Sequence, residues 1–192
     1  WNGDFTFTGT NALNLGTGAV TLGADRTLTI SASTLTVGGA ITDGASTFAI
    51  TKAGSGTLIF SGNNTYDGTT TVSAGVLNIQ NANALGGTTG GTTVSGGAAL
   101  QIQGGIAVGA EALTLNGTGI ASDGALRNIS GDNSYAGAIT LGSASRINSD
   151  SGTLTLSGGI TNAGFLATFG GSGNVTASTT ATTGTGGLTK DG

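Results

Sequence analysis

Residues 70–80 read TTVSAGVLNIQ, and residues 92–103 read TTVSGGAALQIQ. Val72 maps onto Val94 and Leu77 onto Leu100, so the same order of apolar and polar side chains returns after each period. Within each copy the apolar residues alternate with polar ones, as in Leu77-Asn78-Ile79 and Leu100-Gln101-Ile102. That alternation belongs to a short strand with one buried side, because successive side chains of a strand point to opposite faces. The period is about 22 residues, inside the range of roughly 20–50 residues that marks stacked repeats.

Working outward, the same apolar–x–apolar unit recurs along the chain. It is seen at Leu13-Asn14-Leu15, Val20-Thr21-Leu22, Leu28-Thr29-Ile30, Leu35-Thr36-Val37, Phe48-Ala49-Ile50 and Leu58-Ile59-Phe60. Further on come Ile106-Ala107-Val108, Leu113-Thr114-Leu115, Ile139-Thr140-Leu141 and Leu154-Thr155-Leu156. From Leu13 the next units start at Val20, Leu28 and Leu35, and these three steps complete one period. A strand of three to five residues and a short corner fill about seven positions, so three strands make one coil. The fold class expected is all-β: a parallel β-helix of about 22 residues and three short strands per coil. At the ordinary strand spacing, roughly nine coils would stack to a length on the order of 40 Å.

Composition agrees. The 192 residues include 39 Gly and no Pro, Cys, Met or His, and only 7% are charged. Gly supplies the corners, where positive φ or close backbone approach is needed. Pairs such as Gly38-Gly39, Gly86-Gly87, Gly104-Gly105 and Gly158-Gly159 flank the apolar units. Proline would cost each strand a ladder bond. The net charge of −4 is spread thinly, and the five cations (Arg26, Lys52, Arg127, Arg146, Lys190) are isolated and read as solvated turn residues. No nucleic acid partner is expected, because phosphate binding needs clustered Lys and Arg. The apolar stretches are too short for a membrane-spanning helix, so no membrane insertion of this segment is expected. Trp1 stands where an initiator Met would, and a segment of a longer chain is expected.

Residues 51–79, TKAGSGTLIFSGNNTYDGTTTVSAGVLNI, carry a more specific pattern. It consists of Thr51, Lys52 and Gly54; Gly56, Thr57 and Leu58; Ser61, Gly62, Asn64, Thr65, Tyr66 and Gly68; and Thr71, Val72, Gly75 and Leu77. This pattern resembles the autotransporter-associated β-strand repeat of passenger domains in type V secreted and very large bacterial surface proteins. A degenerate copy lies at 122–147, clearest from Gly124, with Ser130-Gly131-Asp132-Asn133-Ser134-Tyr135-Ala136-Gly137 at its centre and no Gly before Arg146-Ile147. Leu188–Gly192, LTKDG, reads as the start of a third copy. The resemblance implies a right-handed parallel β-helix displayed at the bacterial surface or secreted. Residues 1–192 are accordingly read as a single β-helix segment of a longer array.

Candidate chemistry is sparse. Without His or Cys the usual nucleophile–base pairs cannot form, and Glu111 is the one Glu. No enzyme is expected, and no catalytic, cofactor-binding or metal-ligating residue is assigned. Asp67 and Asp132 fall near the same corner in the two copies and could serve a carbohydrate-acting site, but turn chemistry accounts for them. The stretch Gly170–Val175 resembles a calcium nonapeptide and lacks its Asp. The sequons at Asn63, Asn116, Asn128 and Asn174 read as corner Asn. Tyr66 and Tyr135 could form a sugar-stacking stripe, with rings packed over a corner as the simpler reading. Phe5, Phe7, Phe48, Phe60, Phe165 and Phe169 read as core. Thr-x-Thr triplets at 6–8, 27–29, 34–36 and 153–155 would suit an ice-binding face, but their spacing does not put them on one side. The expected function is a structural or adhesive stalk. Its partners are flanking repeats or a second copy stacked end to end, with a host-surface or glycan ligand as the alternative.

Overall fold

The structure is a computed structural model that describes residues 1–177 and 184–192. Among the described residues the element order is almost entirely β: 22 strands, most of them short, and one 3₁₀ turn at Ile120–Ser122. The strands wind as a solenoid of about eight turns of about 22 residues, and the strand pairings are parallel. Val72 pairs with Val94 and Leu77 with Leu100 in adjoining layers, as the repeat requires.

Three faces run the length of the molecule. The first stacks β1 (Phe5–Phe7), β4 (Arg26–Ile30), β7 (Ile50–Ala53), β9 (Thr70–Val72), β11 (Thr92–Val94), β14 (Leu113–Gly117), the start of β17 (Ile139–Ser149), and β19 (Ile160–Thr161). The second stacks β2 (Leu13–Asn14), β5 (Thr34–Val37), β8 (Thr57–Phe60), β10 (Val76–Ile79), β12 (Ala99–Gln103), β15 (Leu126–Ser130), the end of β17, β20 (Ala167–Gly170) and β22 (Leu188–Lys190). The third has a two-stranded part, β3 (Val20–Thr21) with β6 (Ile41–Thr42). Its second part orders β13 (Ala107–Val108), β16 (Asn133–Tyr135), β18 (Thr153–Leu156) and β21 (Asn174–Ala177). The last strand of the degenerate copy forms although no Gly directly precedes Arg146: β17, with Gly142 at its bend, passes from the first face onto the second as one extended run.

Alternation places one side chain of each pair inward, and the inward residues stack. Leu35, Leu58, Leu77, Leu100, Leu126 and Ile147 form one in-register column on the second face, each 1% exposed or less. Burial of such side chains contributes roughly 1.5–3 kcal/mol each, an upper bound because unfolded chains already hide part of this surface. The ends of the stack are open. Leu13 and Leu15 are 44% and 46% exposed and line an apolar mouth with Trp1, Phe5 and Phe7. At the other end Leu166 and Leu188 are exposed, and so is Phe165, against the expectation of a core position.

Coil length is uneven around the average of about 22 residues. One circuit is short, carrying Ile50 only as far as Thr70, whereas a later one carries Leu100 to Leu126. The extra residues go into the corner 118–124, where Ala121 and Ser122 both adopt positive φ. Where the third face runs between its two paired parts, side chains supplement the remaining backbone bonds, such as Thr65 N to Ile41 O and Gly87 N to Tyr66 O. The Asn64 Oδ1 accepts from Ile41 N at 2.9 Å while its Nδ2 donates to Ala84 O at 2.6 Å, so one amide ties three layers. Asn133 holds the equivalent place in the degenerate copy, accepting from Ile106 N.

Candidate functional site

Corner carboxylates work as inter-coil clasps. Asp4 accepts from Thr27 N, Asp25 from Ala49 N, Asp43 from Asp67 N and Asp132 from Thr153 N, each reaching the backbone of the next layer. Asp67 and Asp132 are not brought together, since the Leu58–Leu77–Leu100–Leu126 column puts three coil steps between their layers. Among the described residues, no three His, Cys, Asp or Glu side chains gather as a metal site.

The cations depart from expectation: all five lie in strands rather than turns. Lys52 is fully buried, and its Nζ donates to Ala53 O, Gly54 O and Ala74 O at 2.8–3.0 Å, joining the corners of two successive coils. Burial pulls its ammonium down from the ordinary 10.5 to about 8. Arg127 and Arg146, isolated in sequence, meet on the second face. Arg127 pairs with Asp123 at 3.0 Å and Asp150 at 2.8 Å. Asn148 donates to Asp150 and accepts from Arg146, whose two terminal nitrogens grip Asp191 at 2.7 Å. Above this strip Asn78, Gln80, Gln101 and Gln103 bond to one another. These groups largely satisfy each other, so the strip fastens layers together.

On the first face the outward positions build a threonine rank. Thr27, Thr51, Thr71, Thr93, Thr114, Thr140 and Thr161 follow one another in register, one per coil. The Thr-x-Thr triplets do scatter: Thr6, Thr27 and Thr29 lie on the first face, Thr34 and Thr36 on the second, Thr153 and Thr155 on the third. The rank arises from the single residue between two positions of inward phase, a signal that a search for paired threonines does not use.

The interior holds the remaining chemistry. Tyr66 and Tyr135 are 0% exposed and belong to the core, which rules out a sugar-stacking stripe. Tyr66 Oη lies 2.7 Å from Thr70 Oγ1, and Thr92, in register with Thr70, donates to Glu111 Oε1 at 3.0 Å. Glu111 is 3% exposed, and its Oε2 has no hydrogen-bond partner; neither has Tyr135 Oη. Burial raises the Glu111 carboxyl from the ordinary 4.5 to about 7, only partly opposed by the Thr92 bond. Both tyrosine hydroxyls are pushed up, by burial first and by the Glu111 charge in addition.

Residues 50–79, which supply Lys52, Asn64 and Tyr66, match the passenger-associated-transport-repeat family model. The chain carries an autotransporter passenger repeat. Within that repeat, Lys52 joins two corners, Asn64 ties three layers and Tyr66 fills the core. The chain around the repeat is 34% identical over 173 residues to the adhesin BmaC autotransporter of Brucella suis biovar 1 (strain 1330), covering 82% of this chain. It spans only 5% of that protein's length. No solved structure matches. The passenger repeat and this relative mark the chain as part of a surface-exposed or secreted protein. Among the described residues, no helix is long and apolar enough to cross a membrane.

Proposed function

We propose that this segment is a non-enzymatic stem module of an exported bacterial adhesin, which holds a functional region away from the cell. The observation that carries this reading is the continuous parallel ladder with fastened sides. A stem transmits position along its axis, and here each layer is tied to the next by backbone pairing, reinforced at some layers by corner clasps and, in the later ones, by the second-face ion pairs. Its axial partners are flanking coils or a second copy of the chain, seated on the mouth lined by Trp1, Phe5, Phe7, Leu13 and Leu15. Open, unpaired strand edges favour such stacking, and a head-to-tail contact of this kind extends without closing.

Light scattering of the purified chain over a range of concentrations tests this. Native protein should form growing oligomers or fibres, and Leu13→Asn with Leu15→Ser should shift it toward monomer. A native chain that stays monomeric at high concentration would overturn the end-on reading. The rival reading is a ligand-binding side for ice or glycan, and the threonine rank is the feature that favours it. Thermal hysteresis lost in Thr93→Lys would transfer the assignment to the first face.

A further inference from the structure

The interior of a solenoid stem needs no carboxylate, yet the one Glu of the chain is placed there. Glu111 lies in the corner between β13 and β14, 3% exposed. Its backbone is pressed against Gly137 of the next layer, where an added Cβ would overlap the Glu111 carbonyl oxygen. The backbone of this corner is therefore packed closely against the next layer. One carboxyl oxygen accepts from Thr92, and the other meets no donor. Tyr135 Oη is also buried and unpartnered. The titratable groups that feel the Glu111 charge are Tyr66 and Tyr135, both of which keep their protons, and none of the ion pairs among the described residues involves Glu111.

A bare carboxylate in such a place is held against its desolvation cost without a counter-ion. A carboxylic acid is neutral and brings its own donor. We propose that Glu111 is a proton switch inside the solenoid: it is neutral while the coils are closed around it, and its ionisation loosens the layers that carry Tyr66, Thr92 and Tyr135. The ligand of the switch is the proton, and the element it biases is the middle of the stem, away from both open ends. A stem built this way is stiffest in mildly acidic surroundings and more yielding above neutrality. The inference is independent of the stem's partners, since it concerns the interior alone.

Because the sequence has a single Glu, protein labelled with ¹³C-glutamate gives one side-chain carboxyl resonance, and its titration reads Glu111 directly. The native protein should show a midpoint near 7, and the chain in denaturant one near 4.5. Hydrogen exchange, corrected for its intrinsic pH dependence, should show protection of the Thr93, Thr114 and Ser134 amides falling about tenfold or more between pH 5 and pH 8. In Glu111→Gln that fall should vanish while Leu35, distant in the stack, behaves as in the native protein. A native midpoint near 4.5 would overturn the proposal, as would an unchanged pH response in Glu111→Gln. If that variant does not fold, the native carboxyl titration decides alone.

Discussion

At the scale of single residues, two buried titratable groups without counter-ions give the molecule an unusual pH profile. The folded state holds a proton on Glu111 up to about pH 7, whereas the unfolded chain releases it near 4.5. The folded form binds more protons in that window, so stability falls as pH rises through it. Lys52 acts in the opposite sense: folded, it gives up its proton near pH 8, and unfolded near 10.5, so stability rises across that window. Each contribution is about 3 kcal/mol at most. Chemical denaturation followed from pH 4 to pH 10.5 should show minimum stability between pH 7 and pH 8. Lys52→Met should flatten the alkaline limb alone. Gly137→Ala is a separate test of close approach: the new Cβ would overlap the Glu111 carbonyl, so the backbone must shift. A loss of about 3 kcal/mol or more is expected in thermal melting.

Among the elements, side chains add to what the ladder does in holding the layers. Asn64 is 2% exposed and bonds to backbone on both sides, so Asn64→Ala leaves a buried N–H and a buried carbonyl without partners. It should cost about 2–4 kcal/mol, read by denaturant titration. Arg146 reaches over Thr168 to Asp191, past one whole layer, and so restrains the layer that holds β22. In Arg146→Leu, amide exchange in Leu188–Lys190 should rise severalfold while Leu77 keeps its protection. Much of this architecture is legible in sequence, because alternation and the regular return of each unit identify strands and their inward sides. The burial of Lys52 is legible too, if phase is set above residue type. Ile50 points inward, so Lys52, two residues on, must do the same, as must Thr70 beside Val72 and Thr92 beside Val94. Charge and polarity argue the other way, and alternation wins. The long circuit from Leu100 to Leu126 is not legible. It depends on how many residues the corner 118–124 absorbs, and a one-dimensional pattern does not fix that number.

For the molecule as a whole, each coil rests mainly on the coils on either side, the reach of Arg146 to Asp191 being an exception, so stability is close to a sum of layer and interface terms. The interior polar layers around Asn128 and Ser149 are well bonded and need not weaken that sum, whereas the layers around Glu111 are where unfolding should begin above neutral pH. Pulling on the two ends, at pH 5 and again at pH 8, should give a lower first rupture force at the higher pH if the middle yields first. The corner 118–124 has a different consequence. Loop closure grows only slowly more costly with length, and the pairings on either side of this corner survive its added residues. A foreign peptide spliced between Ala121 and Ser122 should therefore be carried on the flank of the rod without disturbing the winding beneath it. Such a corner separates what the flank displays from what the shaft needs in order to stay wound.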